Sequence, residues 1–467
     1  MIEAQIPRDE ALLLLEEILP RLQSSFGSLP EMPNSNVEPL QETNAGLMSA
    51  VLAEAADRMG DNFPYHHPLY AGQMLKPPHP IARAAYGMAM WLNPNNHALD
   101  GGRASSAMEV EAVAGMAAMF GWKMHLGHLT SGGTFANLEA LWVASQLAPS
   151  RKVVASTQAH YTHQRISGVL GLPFSSIKVD QRGRMDVKAL EELLSHGDIG
   201  TVVVTIGATA TGAVDPLDRI LELRERYKFR IHIDAAYGGY FILASNLDSE
   251  AARAFALIGQ ADSIVIDPHK HGLQPYGCGC ILFRDPAVGR LYSHDSPYTY
   301  FTSGELHLGE ISLECSRAGA SAVALWATQR LLPLTPGGRF AGDLERCRRA
   351  ATNLASRLQN DGRFIVPFSP ELDILVWAIR AETAAESSCL ARELFAACAR
   401  QDLHLAIVQL PIEFFPPGTW AASLPNEQAA QVACLRSVLM KPHHEQWISE
   451  IWRRLDLSML EVQECKR

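Results

Sequence analysis

The feature that most constrains the fold is an alternation of short apolar runs with amphipathic segments between about residues 134 and 283. The runs, such as "TVVVTIG" and "SIVID", are rich in Val and Ile and have the length of buried strands. The segments between them, such as "PLDRILELRERYK", carry apolar residues at helical spacing. Strands that alternate with helices in this way usually pair in parallel, because each helix returns the chain across one face of the sheet. The sequence therefore predicts an α/β fold, a mostly parallel sheet covered by helices on both faces.

One of these strands leads directly to a lysine. The stretch "SIVIDPHKHG" passes from the strand to Asp267 and Pro268 and then places Lys270 between two histidines. Burying an ammonium without a partner is costly, but a lysine that forms an imine with an aldehyde is no longer an ammonium. Because ligands of parallel α/β sheets bind at the carboxyl ends of the strands, the residues just after each strand are the candidates for the rest of such a site.

Three other strand ends carry candidate side chains. In "HLTSGGTFANLEA" the small residues Gly132 and Gly133, with Thr134, precede a helix whose free N–H groups and positive dipole end favour a phosphate. His160, in "TQAHYTHQRISG", is either a structural residue or a ring that lies against a planar cofactor. Thr209 follows "TVVVTIG" and is placed to donate a hydrogen bond into the site.

The fourth strand end carries a carboxylate. Asp234 ends the strand of "RIHIDAAYGGY" and either caps the next turn or pairs with the protonated ring nitrogen of a cofactor. In the second case Ala236 would touch the flat ring. A phosphate seat, a stacking His160, a strand-end Thr209, Asp234 and Lys270 follow one another along the chain. Together they supply what pyridoxal 5′-phosphate requires, namely a phosphate anchor, a carboxylate for the pyridine nitrogen and an amine for the aldehyde.

The composition argues against several other classes of protein. The 467 residues include 40 Lys and Arg and 50 Asp and Glu, so the formal net charge is −10, which disfavours nucleic acid and anionic membranes as partners. No apolar run is as long as a membrane span, and the Leu run near the N-terminus is flanked by carboxylates, as in an amphipathic helix rather than a secretory signal. The eight cysteines include no Cys-x-x-Cys pair. We therefore expect reduced thiols, a cytoplasmic location and no metal site.

The chain divides into three predicted parts. Residues 1–60 are an N-terminal arm, with a helix over 1–25 and a loop rich in Pro, Asn and Ser over 26–45. Residues 61–325 are the large α/β domain that holds the cofactor. In 326–467 long helices alternate with strand-like stretches such as "ELDILVWAIR", "LHLAIVQL" and "ACLRSVLM", which predicts a smaller α+β domain.

Four stretches together, "TSGGTFAN", "QAHYTHQRISGVLGL", "HIDAAYGGY" and "DPHKHG", resemble the group II pyridoxal-dependent amino acid decarboxylases. This family includes the glutamate, aromatic amino acid, tyrosine and diaminobutyrate decarboxylases, and the resemblance runs from about residue 60 to the C-terminus. It implies the fold-type I arrangement with a seven-stranded type of sheet, pyridoxal 5′-phosphate as cofactor, and release of the α-carboxylate of an L-amino acid as CO₂. It also implies a homodimer in which each active site takes residues from both subunits.

The resemblance implies roles at the aldehyde and the phosphate. Lys270 matches the Schiff-base lysine of the family. His269, directly before it, is expected near the phosphate, and Gly133 and Thr134 match the phosphate cup. Ser316, in "ECSRAGAS", resembles a residue that reaches the phosphate of the other subunit.

Further roles concern the ring and the substrate. By the same resemblance, His160 matches the residue that stacks on the ring, with His163 as the alternative, and Thr209 matches a threonine near the ring hydroxyl. Arg436, in "ACLRSVLM", resembles the arginine that binds the substrate α-carboxylate, although a surface salt bridge is the alternative.

The proton donor is where the sequence departs from the family. Aromatic amino acid decarboxylases carry a tyrosine on a mobile loop that returns a proton to Cα, whereas this chain has Leu306 at the matching position. His307, Tyr300 and Tyr298 are the neighbouring candidates for the donor. Loss of that tyrosine is also compatible with altered chemistry, such as oxidative deamination to an aldehyde.

The substrate itself is not predicted. The segment "YHHPLYAGQMLKPPHP" resembles one that lines substrate pockets, so Gln73, Met74 and Leu75 are expected near the substrate side chain. This mixture selects neither a carboxylate nor a catechol. Two other functions are weighed against decarboxylation: a carbon–carbon lyase of the sphingosine-phosphate type, and a scaffold that kept the fold, which the intact Lys270 and Asp234 argue against.

Overall fold

The computed structural model of the chain describes residues 9–27, 42–292, 307–420 and 431–464. Tyr298, Tyr300 and Leu306, which bear on the predicted proton donor, lie outside the described residues. Within the described ranges, no helix is both long enough and apolar enough to cross a bilayer.

A seven-stranded sheet forms the centre of the molecule. Its strands in chain order are β1 (Leu126–Thr130), β2 (Lys152–Ser156), β3 (Phe174–Ile177), β4 (Ile199–Thr205), β5 (Arg230–Asp234), β6 (Ser263–Ile266) and β7 (Gly279–Phe283). They lie side by side in the order β1-β7-β6-β5-β4-β2-β3. β7 runs antiparallel to both of its neighbours, and the other pairs are parallel. The predicted α/β fold with a mostly parallel sheet is therefore confirmed.

Helices surround this sheet. The first ten in chain order within the described residues are α1 (Glu10–Ser24), α2 (Glu42–Met59), α3 (Pro80–Met90), α4 (Leu99–Met119), α5 (Gly133–Leu147), α6 (Thr162–Val169), α7 (Val187–Leu194), α8 (Leu217–Tyr227), α9 (Ser249–Leu257) and α10 (Gly319–Leu331). The helix predicted over 1–25 corresponds to α1. The loop predicted over 26–45 is wrong at its end, because α2 already begins at Glu42; the polar start of this helix resembles a loop in sequence.

Different helices pack on the two faces of the sheet. Val202 and Val204 of β4 belong to a core that includes residues of α4, α7, α8 and α9. Val203, between them, packs with Leu141 of α5 and Ile166 of α6. Successive side chains of a strand point to opposite faces, so both faces are covered, which explains why β4 is buried along its whole length.

The C-terminal part contains a second, four-stranded sheet. Its strands are β8 (Phe364–Ile365), β9 (Ile374–Ile379), β10 (Ala406–Pro411) and β11 (Gln431–Val438), in the antiparallel order β10-β11-β9-β8. Three helices accompany it: α11 (Arg339–Asn360), α12 (Ala384–Arg400) and α13 (His444–Glu464). Trp377 of β9 is fully buried in their shared core. The predicted domain boundary at 325/326 falls inside α10, and the division into domains stays a prediction.

The register of the central sheet brings several strand ends together. Thr130, the last residue of β1, pairs with Gly279 at the start of β7. Ile266, the last residue of β6, pairs with Cys280 of the same strand. The carboxyl ends of β1 and β6 therefore lie on either side of the start of β7, and those of β5, β4 and β2 continue the same edge.

Candidate active site

A cavity of about 430 Å³ opens at this edge of the sheet. Its walls come from the segments that follow β1, β2, β4, β5 and β6. Among its lining residues are nine that the sequence singles out: Gly132, Gly133, Thr134, His160, Thr209, Asp234, Ala236, His269 and Lys270. The sequence analysis selected these residues because most of them follow a strand, and the fold brings them to one cavity. Their individual roles stay predictions.

The start of α5 forms one wall of the cavity. α5 has no side chain that caps its first turn, and the N–H groups of Gly133 and Thr134 have no acceptor within the described parts of the chain. Gly132, just before the helix, has a φ of +154°, which glycine adopts easily. Free N–H groups at the positive end of a helix dipole are a suitable seat for an anion such as a phosphate.

Asp267 directly follows β6 and holds the amine of Lys270. Its Oδ2 lies 3.2 Å from Nζ of Lys270 and 3.5 Å from Nε2 of His269. Its Oδ1 is buried and has no hydrogen-bond partner among the described residues. Gly133 packs so closely on this carboxylate that a Cβ at its position would lie 2.7 Å from Oδ2. His269 in turn stacks on Tyr276, with 4.6 Å between the ring centres.

Asp234, the last residue of β5, is a second buried carboxylate of the cavity. Its Oδ2 accepts hydrogen bonds from Nε2 of His163 at 2.8 Å and from Nδ2 of Asn137 at 3.3 Å. Its Oδ1 accepts one from the N–H of Ala236 at 3.1 Å. Burial by itself raises the pKa of Asp234, but the hydrogen bond and the electrostatic effect of His163, together with the charge of Lys270, outweigh burial and hold the pKa below its usual range. Asp234 is therefore an ionised group that suits a cationic partner.

A chain of hydrogen bonds fixes Asn137 beside this carboxylate. Its Oδ1 accepts a hydrogen bond from Nε2 of His232 at 2.8 Å, and Nδ1 of His232 accepts one from Oγ of Ser263 at 2.9 Å. Burial lowers the pKa of His232 to about 3, so this imidazole is neutral and carries its proton on Nε2. The amide of Asn137 is thereby oriented with its NH₂ group toward Asp234.

His160 presents a neutral ring to the cavity. Its Nδ1 accepts a hydrogen bond from the N–H of Thr162 at 3.4 Å and lies 2.9 Å from the hydroxyl of the same residue. Burial lowers the pKa of His160, so the ring is neutral with its proton on Nε2. His163, the alternative stacking residue, is not part of the cavity wall and is fully buried against Asp234.

Arg436 and Gln73 meet beside the cavity. Nη1 of Arg436 donates to the carbonyl of Thr209 at 2.9 Å, and Nη2 donates to Oε1 of Gln73 at 2.6 Å. Nε of Arg436 is buried without a partner, and no ion pair of this guanidinium is found within the described ranges. Burial lowers the pKa of Arg436, although a guanidinium remains charged in proteins. A buried cation without an acidic partner is a candidate for binding the carboxylate of a ligand.

Three predicted residues lie away from the cavity wall. Met74 is half-buried against the main core. Ser316 accepts a hydrogen bond through Oγ from Nδ2 of Asn95 at 3.1 Å. His307 is fully buried, and its Nδ1 accepts the N–H of Leu99 at 3.1 Å. Their predicted contacts with the substrate, with the other subunit's phosphate and with Cα stay predictions.

A carboxylate from the C-terminal part anchors the segments that carry the site. Oδ1 of Asp373 accepts a hydrogen bond from the hydroxyl of Tyr237 at 2.7 Å, and its Oδ2 lies 3.2 Å from Nε2 of His271. Burial, followed by the neighbouring charge of Asp373, raises the pKa of Tyr237 well above its usual value, so the phenol keeps its proton. One buried group thus holds the turn after Asp234 and the turn after Lys270.

The sequence did not single out several residues of this cavity. They are Ser131, Phe135, Asn137, Thr162, Thr205, Gly207, Tyr237 and Asp267. Asp267 and Thr205 could have been found, because they stand at the ends of β6 and β4. Asn137 lies one helical turn after Gly133, on the same face of α5, which was a weaker signal.

The residues present fit pyridoxal 5′-phosphate. The N–H groups that start α5 at Gly133 suit its phosphate, the ionised Asp234 suits its pyridinium nitrogen, and the amine of Lys270, 20% exposed, suits its aldehyde. The flat ring of His160 forms part of the same wall. Oγ1 of Thr205 and Oδ1 of Asp267 are buried without hydrogen-bond partners among the described residues, as expected beside a polar ligand.

Comparisons with known proteins point to the same chemistry. Residues 90–380 match the family described as the pyridoxal-dependent decarboxylase conserved domain. The chain is 27% identical over 451 residues to the L-tyrosine decarboxylase of Enterococcus faecium, covering 73% of this chain and 74% of the relative. It is 34% identical over 284 residues to a probable L-tyrosine/L-aspartate decarboxylase of Methanoculleus marisnigri, covering 59% of this chain and 73% of that protein.

A solved structure shares the fold. The crystal structure of Oryza sativa TDC with PLP and tryptamine superposes on this chain with a TM-score of 0.74, over 98% of this chain and 99% of that one. The two sequences are 18% identical, so this likeness shows a common fold.

Proposed function

The chain belongs to the pyridoxal-dependent decarboxylases, and on this premise we propose how the residues of its active site divide the reaction. Like its family, it is an amino acid decarboxylase that uses pyridoxal 5′-phosphate. One observation carries the assignment: a single cavity contains the amine of Lys270, the ionised carboxylate of Asp234 and the free N–H groups at the start of α5. We assign the aldehyde to Lys270, the ring nitrogen to Asp234 and the phosphate to the start of α5.

The proposed division of labour follows from the charges. When bound, the cofactor supplies a ring that accepts the electrons of the breaking bond. Asp234, ionised and buried, stabilises a proton on the ring nitrogen. Arg436 binds the substrate α-carboxylate and so orients the bond that breaks. Nζ of Lys270 would hold the aldehyde of the cofactor, and as a free amine 3.2 Å from Oδ2 of Asp267 it can hold a proton.

We propose L-tyrosine as the substrate. The names of two relatives support tyrosine, and one of them also names aspartate. Among the described lining residues, Lys270 is the one Lys or Arg, and Arg436 is assigned to the α-carboxylate. Aspartate would need a further cation for its second carboxylate, whereas the phenol of tyrosine needs only a hydrogen-bond partner such as the amide of Gln73.

A panel of the twenty amino acids tests the substrate. Release of CO₂ is measured together with the amine and the aldehyde that form. We expect CO₂ and tyramine in equal amounts from tyrosine. Release from aspartate alone would replace tyrosine as the substrate, aldehyde in place of amine would indicate oxidative deamination, and no CO₂ from any amino acid would contradict the assignment of the site.

The lysine is tested by its chromophore. The wild-type protein with cofactor should carry a coloured imine that borohydride reduces, and Lys270→Ala should lose it. Lys188→Ala, at an exposed position of α7, is the matched control and should keep it. A reducible chromophore retained in Lys270→Ala would place the imine on another residue.

We also propose a homodimer, supported by the surface of α2. Every residue of this helix from 46 to 59 is exposed. These residues include the apolar Leu47, Val51 and Leu52, which are 61%, 56% and 69% exposed. Helices in proteins are stabilised mainly by packing an apolar face, so a second copy of the chain is the proposed cover. Light scattering should give the mass of a dimer, and Leu52→Glu should shift it toward the monomer, whereas Leu457→Glu on α13 should not. A fully active monomer would contradict the proposal.

For location we propose the cytoplasm. The seven cysteines in the described ranges are all free, and five of them are buried, as is usual in a reducing compartment. Cell fractionation tests this: recovery of the protein from an oxidising compartment would contradict it.

A further inference from the structure

The strongest hydrogen bond to the active-site carboxylate comes from a residue outside the cavity. His163 lies on α6, its side chain is fully buried, and its Nε2 is 2.8 Å from Oδ2 of Asp234. Because Asp234 is ionised, it can only accept, so Nε2 of His163 carries the hydrogen. Nδ1 is also buried and has no hydrogen-bond partner among the described residues. His163 therefore directs one donor at Asp234 and makes no second polar contact there.

We propose that His163 is a positioning residue for decarboxylation: the hydrogen bond from its buried Nε2 holds Asp234 in the orientation that keeps the cofactor ring nitrogen protonated. The proposal rests on the pairing of Asp234 with that nitrogen, as assigned above. His163 does not line the cavity, so it would act on the reaction only through the carboxylate of Asp234.

The geometry makes His163 the main support of this carboxylate. Within the described parts of the chain, Asp234 accepts three hydrogen bonds, from His163, Asn137 and Ala236. The bond from Asn137 is 3.3 Å long and comes from a neutral amide, so it is the weaker of the two on Oδ2. Removing His163 would leave Oδ2 with this long bond as its one hydrogen bond from the described residues, at a buried position where a lost donor is costly.

Three variants of His163, with one at a neighbouring residue, separate positioning from structural support. His163→Leu removes the donor, His163→Gln places an amide N–H near the position of Nε2, and His163→Asn keeps an amide that is too short to reach. Ser167→Ala, one turn further along α6, is the matched control, because its buried hydroxyl has no hydrogen-bond partner among the residues that the structure describes. Asp234→Asn tests the carboxylate itself.

The readout is the protonation of the ring nitrogen, measured by NMR of protein reconstituted with ¹⁵N-labelled pyridoxal 5′-phosphate. The dissociation rate of the cofactor and the unfolding midpoint of the cofactor-free protein are measured alongside. We expect His163→Leu and His163→Asn to move the nitrogen signal toward the unprotonated value and to lower kcat by roughly 10- to 100-fold, the size expected for losing a hydrogen bond to a charged group. His163→Gln should restore most of both, and Ser167→Ala should match the wild type.

The outcomes distinguish the two proposals. A nitrogen signal that stays unchanged in Asp234→Asn would overturn the assignment of Asp234, and the inference on His163 with it. A signal that moves in Asp234→Asn but not in His163→Leu or His163→Asn would leave Asp234 in place and overturn only the role of His163. If the Leu variant does not fold, the comparison of Gln with Asn decides: equal signals in these two variants overturn the proposal.

Discussion

Replacing Gly133 by alanine tests how closely the start of α5 approaches the lysine's carboxylate. A Cβ at this position would lie 2.7 Å from Oδ2 and 3.0 Å from Oδ1 of Asp267, whereas ordinary contact begins at 3.4 Å. The carboxylate would have to retreat by 3.4 − 2.7, or about 0.7 Å. Either its 3.2 Å contact with Nζ of Lys270 changes, or the N–H groups that begin α5 move. Overpacking of this kind costs about 1–3 kcal/mol, or roughly 5- to 150-fold in an equilibrium constant.

The assay is a titration of the cofactor-free protein with pyridoxal 5′-phosphate, followed by tryptophan fluorescence. Gly133→Ala should weaken binding by that factor. Gly168→Ala is the matched control, because Gly168 lies in α6 and a Cβ there meets nothing within 4 Å; it should bind normally and gain about 0.5–1 kcal/mol of stability. Wild-type affinity in Gly133→Ala would refute the reasoning, since it would mean that the approach to Asp267 is not needed for the cofactor.

Two further predictions concern Arg436 and Lys441. Arg436→Ala should lower kcat/KM roughly 30-fold to several thousand-fold, because losing one partner of a buried charge pair costs about 2–5 kcal/mol; kinetics as in the exposed control Arg453→Ala would assign the α-carboxylate elsewhere. Burial lowers the pKa of Lys441 to about 7, so between pH 7 and about 10 the unfolded chain binds more protons and stability rises by about 1.4 kcal/mol per pH unit. Lys441→Met should lack this rise in urea unfolding of the cofactor-free protein, and equal slopes in the two proteins would contradict the shift.

The parallel part of the fold could be predicted because burial on both faces leaves a strong local pattern. β4 reads as a continuous β-branched run, and the amphipathic α8 that follows it is equally clear. The antiparallel direction of β7 could not be read in the same way, since its own residues are as buried as those of a parallel strand. Direction and strand order depend on which segments pair, and such pairing is a long-range property that one strand does not encode.

The site was predictable where it follows a strand and not where it depends on packing. Lys270, Asp234 and Thr209 were found because the fold class alone gives chemical meaning to strand ends. His163 was considered only as a stacking ring. Helical spacing places it one turn from His160, but it does not show which strand the side chain of His163 contacts. Its contact with Asp234, 71 residues away in the sequence, exists only in the folded chain.

The second sheet connects Arg436, the proposed site of the substrate α-carboxylate, with the segments that carry Lys270 and Asp234. Asp373, just before β9, contacts both His271 and Tyr237, which follow the lysine and the ring-nitrogen carboxylate in sequence. Within β9 itself, Val376 pairs with Arg436 of β11. A single strand therefore connects the proposed α-carboxylate site with the segments that carry Lys270 and Asp234. On the proposed assignments, the packed sheet fixes Arg436 relative to Lys270 and Asp234 before substrate arrives, so little of the binding energy would be needed to order the site.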